Sequence, residues 1–532
     1  MLLLAMVLSA TEAFAQTVGT VFEYRGCEYR VSNKDLEHPE NNEAVVLTVK
    51  GNGKVTIPAK VQTPKGMDQE EYKVVGSAAW VSTVADGITE IEFSEGIKEI
   101  SDNSFRKPKT LQKIIIPASC EKVGIGCFLD CPALTTFEVK TGNMKYKAEN
   151  GSLLSRDGKQ LVYVPAGKTG EYSVPNNVEE IMPSAFSNCK NMTKITIPVS
   201  VAKISENSEY PSFNGSGTHF TVATGNKKFK DINGLLCTND VKKLIHVPYK
   251  YDQLEQPTEK LKIPDGITEV AQNAAVGSYL KQLDLNQTKM IGNNAFHSCS
   301  ALENVKIGKN VEKIGQGAFT NCQFVKAFDV DDHNTKYKAI DGVLFTKDET
   351  NLLLYPCGKE GDYTVPEGTI KIEDFAFSDV QKLGKVKMAK SVTTIGPSAF
   401  KGAKILKKID FQETTKLETI GDHAFQNTKL EYITIPASVK TLEGASFADI
   451  ETLKEVHFAT GCQLEELSGN LFQNAKNLTK VVFDGTNNVK KINSDAFANC
   501  TSLAIFTVPK TVTYIAGGAF RGASGLETVE FE

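Results

Sequence analysis

Seven histidines and eleven cysteines are the side chains of this 532-residue chain best suited to chemistry. A metal-dependent hydrolase needs two histidines one helical turn apart, as in His-Glu-x-x-His. His38, His219, His246, His297, His333, His423 and His457 form no such pair. None lies in a Gly-x-Ser-x-Gly turn that would expose a nucleophile. All seven are expected at the surface. The run Asp329-Val330-Asp331-Asp332-His333-Asn334 has the look of a calcium loop. It lacks the glycine and the distal glutamate at the required offsets, and reads as a solvated turn. Cys127 and Cys131 have no second pair at zinc spacing. No carboxylate pair, phosphate loop or dinucleotide fingerprint stands out. The expectation is a non-enzyme with no metal and no cofactor.

Eleven cysteines would suit a disulfide scaffold in an exported protein, but their positions argue otherwise. Cys131, Cys189, Cys299, Cys322 and Cys500 each fall three residues after an aromatic, a slot where other segments place Ala403, Ala475 or Ala523. A slot shared by Cys and Ala is a small buried position, so these thiols are expected to be free.

The aromatics belong to a phrase that returns along the chain. It reads Ile-Gly-x-x-Ala-Phe-x-x-Cys, preceded by Leu-x-x-Ile-x-Ile-Pro, with good copies at Ile291–Cys299 and Ile314–Cys322. Its anchors are Trp80, Phe105, Phe128, Phe186, Phe213, Phe296, Phe319, Phe377, Phe400, Phe425, Phe447, Phe472, Phe497 and Phe520, with Ala275 in one degenerate copy. Where no insert intervenes, most spacings are 22, 23 or 25 residues, within the leucine-rich-repeat range. Leu-x-x-Ile-x-Ile alternates and is β-branched, as a strand requires. Pro198, Pro436 and Pro509 end it. The glycine reads as a tight turn, and Ala-Phe-x-x-Cys as one short helical turn with its apolar side inward. One unit cannot bury its own apolar face, but a stack of them can. The expected fold is an α/β leucine-rich-repeat solenoid of about fifteen repeats of 22–25 residues.

Three long anchor gaps hold a related insert, near residues 138–175, 221–264 and 329–366. Each starts with Asn143, Asn226 or Asn334 and carries a tight-turn pair, Asn150-Gly151, Asn233-Gly234 or Asp341-Gly342. Each reads as a β-hairpin that protrudes from the solenoid or splints it. Residues 16–72 form a different, β-rich unit suited to capping the first repeat, and residues 73–532 are the repeat array. Residues 1–15 combine a short apolar run with Ala13-Phe14-Ala15, an export signal cleaved before Gln16, although no Lys or Arg precedes the run. No later stretch is apolar enough for a transmembrane helix.

These residues resemble the BspA-like leucine-rich repeats of bacterial surface proteins, over about residues 73–532. The resemblance implies a cell-surface or extracellular location, with the periplasm as an alternative. It also implies adhesion to a protein partner, either a host matrix protein or the surface protein of another microbe. A glycan-binding accessory role is the alternative, weakened because the single Trp, Trp80, occupies a core slot. Net charge is −4, which gives no overall basic field for nucleic acid or an anionic membrane. In a leucine-rich solenoid the residue between the two strand isoleucines points out from the concave sheet. That ladder runs Glu92, Ile115, Thr196, Asp284, Lys306, Lys387, Asp410, Thr434, His457, Val482, Thr507 and Glu530. The repeats from Phe377 onward carry no insert, so Asp410, Thr434, His457, Val482 and Thr507 are the candidate binding residues. The last strand, around Val529-Glu530-Phe531, has no cap after it, and the expectation there is either a frayed last repeat or an end-to-end dimer.

Overall fold

A computed structural model describes residues 18–532, apart from 36–37, 66, 68, 80–82, 206–210, 214, 218, 250–259 and 412–414. The expected export signal and the anchor Trp80 lie outside the described residues. The chain divides into two compact units, residues 1–240 and 241–532. Each is a stack of coils around an apolar core.

A coil has two strands. The longer follows the Leu-x-x-Ile-x-Ile phrase and pairs in parallel with the same strand of the next coil. Lys113–Ile116 lies between Ile88–Phe93 and Thr136–Val139 in the first unit. In the second unit, Glu455–Phe458 lies between Tyr432–Ile435 and Lys480–Phe483. Inward residues alternate with outward ones, so Val456 and Phe458 are buried. The shorter strand is a two-residue segment just before the repeat glycine position, such as Lys371–Ile372, Thr394–Ile395 and Thr419–Ile420. These stack into a second parallel sheet, too short to leave a periodic signal in sequence.

The anchor segment is not helical. Among the described residues the only helical element is a 3-10 turn at Pro39–Asn41, so the expected α/β architecture is corrected to an all-β solenoid. The reason is backbone conformation. In nearly every coil the residues two before and two after the anchor adopt positive φ, as in Asn294 and Ser298 around Phe296, Gly317 and Asn321 around Phe319, and Asp495 and Asn499 around Phe497. An α-helix needs consecutive right-handed residues, and Asn, Asp, Ser and Gly are placed here because they tolerate the left-handed region. The alternation turns every second amide toward the neighbouring coil. Asn294, Phe296 and Ser298 donate to the carbonyls of Gln316, Ala318 and Thr320 at 2.9–3.0 Å. The amides between them close turns within their own coil, Ala295 to Gly292 and His297 to Asn294. A third ladder of backbone hydrogen bonds therefore runs along each stack beside the two sheets.

The repeat glycine is also read differently. Gly292 and Gly315 lack positive φ; a Cβ there would meet the backbone nitrogen of Gln272 or Asn293 of the preceding coil at 2.3 or 2.5 Å. These glycines permit close approach of coils.

Anchor rings stack along the core. Phe377, Phe400, Phe425, Phe447, Phe472, Phe497 and Phe520 are consecutive neighbours with centroids 4.5–5.7 Å apart. Phe296 stacks on Phe319 at 5.3 Å, Phe105 on Phe128 at 6.3 Å and Phe186 on Phe213 at 5.0 Å. Phe520 alone of these is only partly buried.

The inserts stay within the stack. In the first, Tyr146–Glu149 and Ser152–Ser155 pair antiparallel across the Asn150-Gly151 turn. Gln160–Tyr163 then pairs antiparallel with Ser152–Ser155 and parallel with Glu180–Ile181, joining the second sheet. Tyr337–Ile340, Val343–Thr346 and Asn351–Leu354 repeat this in the second unit. Each insert is pinned by its leading asparagine. Asn143 Nδ2 donates to the carbonyls of Pro117 and Cys120, and its Oδ1 accepts from the amides of Lys145 and Tyr146. Asn226 and Asn334 do the same at the equivalent positions. In residues 18–77, Val21–Tyr24 and Cys27–Asn33 form a hairpin. Gly53–Ile57 lies parallel to Ile88–Phe93 in the main sheet of the first unit.

Candidate functional site

The outward ladder of the second unit lies on the main sheet because period-2 alternation fixes which residues face solvent. Thr434, His457 and Val482 are direct cross-strand partners. Lys387 pairs with Asp410, and Thr507 with Glu530. The five candidates fall into three pieces, because the main sheet of this unit is split into separately bonded groups. Asp410 ends one group, Thr434, His457 and Val482 lie in the next, and Thr507 begins a third.

Between Lys408–Asp410 and Tyr432–Ile435 the split opens a groove of about 890 Å³, lined by Asp410, Phe411, Glu431, Tyr432, Thr434 and Thr460 among others. Tyr432 is 54% exposed, and the Lys454 ammonium sits 5.7 Å from its ring centroid. Sequence reasoning missed Tyr432 because it follows only the residue between the two isoleucines, whereas the first strand position also faces out. His457 sits between two carboxylates, with Nε2 3.4 Å from Glu455 Oε2 and Nδ1 3.5 Å from Asp484 Oδ2. Thr507 Oγ1 donates to Glu530 Oε2 at 3.3 Å. The face combines hydroxyls, an imidazole held by acids and one exposed ring, groups that make hydrogen bonds and stacking contacts with a docked surface.

The same face in the first unit is closed by ions. Lys54 bridges Glu90 and Glu92 at 2.8 and 2.7 Å, and Lys140 also bonds Glu92. The Lys140 and Lys54 hydrogen bonds hold the Glu92 carboxyl down at about 2. Ile115, on the strand paired with that of Glu92, is only 5% exposed, which corrects its expected outward exposure.

All eleven cysteines are buried and free. Where a cysteine fills the slot after an anchor, its sulfur donates to a backbone carbonyl. Cys299 Sγ donates to the Ala275 carbonyl and Cys322 Sγ to the Phe296 carbonyl, both at 3.1 Å, and Cys500 Sγ to the Phe472 carbonyl at 3.3 Å. Burial pushes the thiols of Cys120, Cys237, Cys357 and Cys500 up to about 12. The histidines are not all superficial, contrary to expectation. His246 is buried in the second insert, at the position taken by Tyr163 and Leu354 in the other two. Burial lowers its pKa to about 3. His297 is lowered by the same cause. In the acidic run, Asp331 Oδ1 accepts from the His333 amide at 2.9 Å and lies 3.2 Å from its Nδ1. Among the described residues no three His, Cys, Asp or Glu side chains converge on a metal-sized site. No helix there is long and apolar enough to cross a membrane.

The chain is similar in fold to a leucine-rich cell surface protein of Faecalibacterium prausnitzii A2-165. They share 18% identity over 96% of this chain and 95% of the other, with a TM-score of 0.36. The pneumococcal vaccine antigen PcpA shares 17% identity over 97% of this chain and 100% of its own, with a TM-score of 0.38. A leucine-rich-repeat protein of Bacteroides ovatus shares 17% identity over 96% of this chain and 88% of its own, with a TM-score of 0.28. Among curated proteins none is significantly similar in sequence. The model of the BspA-type leucine-rich repeat region matches in six copies, over residues 74–150, 166–232, 252–346, 353–418 and 418–532. With the repeat phrase, the all-β coils and this match over most of its length, the chain belongs to the BspA-type leucine-rich repeat family.

Proposed function

We propose that this chain is a non-catalytic, exported binding protein of the cell surface, and that the main sheet of its second unit docks a protein partner. A host matrix protein or the surface protein of another microbe is the class of partner in view. The observation that carries this reading is the insert-free face from Phe377 onward, where Thr434, His457 and Val482 stand side by side next to the groove beneath Tyr432. An exposed tyrosine beside a cleft and flanked by charged groups is the composition of an interface anchor with a polar rim. The family match and the export-signal pattern of the first fifteen residues support the location.

The test is surface plasmon resonance of the full chain against purified matrix proteins and purified surface proteins of other bacteria. The expected result is saturable binding to at least one, weakened tenfold or more by Tyr432→Ala combined with His457→Ala. Binding that the double substitution leaves untouched would move the site elsewhere. No binding across the panel would sink the adhesive reading.

A further inference from the structure

A near-neutral protein can still carry a strong local field, and one stretch of this chain does. From Val380 to Ile409 the sequence has eight lysines and no Asp, Glu or Arg. Elsewhere lysines of this protein are commonly matched by a glutamate on an adjacent coil. Lys122 meets Glu99, Lys203 meets Glu180, and Lys490 meets Glu465, at 2.6–3.0 Å. Of the eight, Lys382 alone forms such a pair, with Glu360. The others make no ion pair among the described residues.

The fold gathers four of them. Lys385 and Lys408 are direct partners on adjacent parallel strands, about 5 Å apart in backbone. Lys387 lies two residues on from Lys385 and so faces the same side, and Lys407 and Lys408 line the groove at the sheet split. Lys387, Lys407 and Lys408 are exposed and Lys385 half-exposed. Among the described residues the acids near this group are few: Asp362 just before the strand that pairs with Lys385–Lys387, Asp410 opposite Lys387, and Glu431 across the groove. Lys401 and Lys404 are also exposed, on the preceding turn, but Lys401 shares its surroundings with Asp379, Asp449 and Glu451 and lies outside the patch.

We infer that the face formed by Lys385, Lys387, Lys407 and Lys408 binds a sulfated polysaccharide. Lysine ammoniums are point charges on flexible stems, adaptable to anionic groups strung along a flexible chain. Spacings of one strand and of two residues, about 5 and 7 Å, suit a polymer with an acidic group on successive sugars. Nucleic acid is disfavoured by the same residues. The patch has no arginine fork for phosphate. Its one neighbouring exposed ring, Tyr432, is already approached by Lys454, leaving no row of rings on which bases could stack. The patch shares the groove at the sheet split with the protein-docking reading above, but its ligand is different and neither reading depends on the other.

The experiment uses the full chain on immobilised heparin, unsulfated dextran and single-stranded DNA of matched charge, over a salt series. The expected result is retention on heparin, none on dextran and weaker retention on DNA. Replacing all four lysines by glutamine should weaken heparin binding tenfold or more. It should also lower the slope of log affinity against log salt by roughly 3, at about 0.7–0.9 per neutralised anion. The doubles Lys385→Gln/Lys387→Gln and Lys407→Gln/Lys408→Gln give intermediate losses and a check that does not depend on the quadruple variant folding. A control with the same net charge, replacing the paired Lys289, Lys440, Lys476 and Lys490 by glutamine, should stay within twofold of the wild type. The inference is overturned if the wild type passes through heparin at low salt, if the control loses as much as the patch variants, or if DNA binds as tightly as heparin.

Discussion

Asn334 Nδ2 donates to the Gly308 carbonyl at 2.8 Å, tying the first residue of an insert to the coil before it. The same side chain bonds the Val311 carbonyl and the amides of Lys336 and Tyr337, and is buried. Only a carboxamide offers two donors and an acceptor in this geometry. Asn334→Ala should therefore destabilise the second unit by about 2–4 kcal/mol, since buried donors and acceptors lose their partners. Asn334→Asp should be at least as damaging, because it replaces two donors with a charge. Urea unfolding measures both, and a loss below about 0.5 kcal/mol would contradict the pinning role.

Phe400 is flanked on both sides, by Phe377 at 4.5 Å and Phe425 at 5.0 Å, whereas Phe520 has a ladder neighbour on one side only. Phe400→Ala should cost about 3–5 kcal/mol, and Phe520→Ala clearly less. Because coils touch mainly their neighbours, hydrogen exchange should rise around residues 372–430 first. A uniform rise across the second unit would argue against nearest-neighbour coupling.

Burial holds His246 neutral, with a folded pKa of about 3 against about 6.5 when unfolded. Below pH 6.5 the unfolded state takes up the proton and the folded state does not, so stability falls as pH drops from 6.5 toward 3. The second unit should lose about 2 kcal/mol between pH 7 and 5 from this group. His246→Leu, which copies Leu354 at the equivalent place, should flatten that dependence. An unchanged pH profile would show that His246 is not kept neutral. In the first unit Glu92 works over a lower window. Its carboxyl is depressed to about 2, so its contribution is present above the ordinary carboxylate range and is lost as pH falls through that value.

The thiols should be silent in the native protein. Burial pushes Cys120, Cys237, Cys357 and Cys500 up to about 12, so they hold almost no thiolate at pH 8. Maleimide at pH 8 should label few or none of the eleven in the folded chain, and all of them after denaturation without reductant. Disulfide-linked peptides, or rapid labelling of the folded protein, would refute the assignment.

Much of the fold was legible because the anchor phrase repeats often enough to fix the coil length. Each Leu-x-x-Ile-x-Ile run also carries its own period-2 signal. What escaped was local. The second sheet is made of two-residue strands such as Thr394–Ile395, too short for any periodicity. The Ala-Phe-x-x-Cys segment has the apolar spacing of a helical turn, yet Asn294 and Ser298 at positive φ rule one out. Asn at those two offsets was the available signal, hidden because Gly, Ser, Asp and His share the slots. At the candidate site, the outward register of Thr434, His457 and Val482 followed from alternation. The sheet split beside Asp410 and the exposure of Tyr432 did not, since both depend on how successive coils pair. The lysine cluster escaped because net charge averages over the whole chain.

The third ladder, through the anchor turns, bears on how such a stack meets a mechanical load. With backbone bonds at the turns and, between the splits, on both sheets, a pull along the stack is shared by more than one row of bonds. A pull on a chain end instead meets one coil at a time. Each coil peeled away would release about 23 residues, roughly 75 Å of extended chain. Tethered at a surface, a stack of this kind would lengthen in steps under drag and re-form when the tension drops.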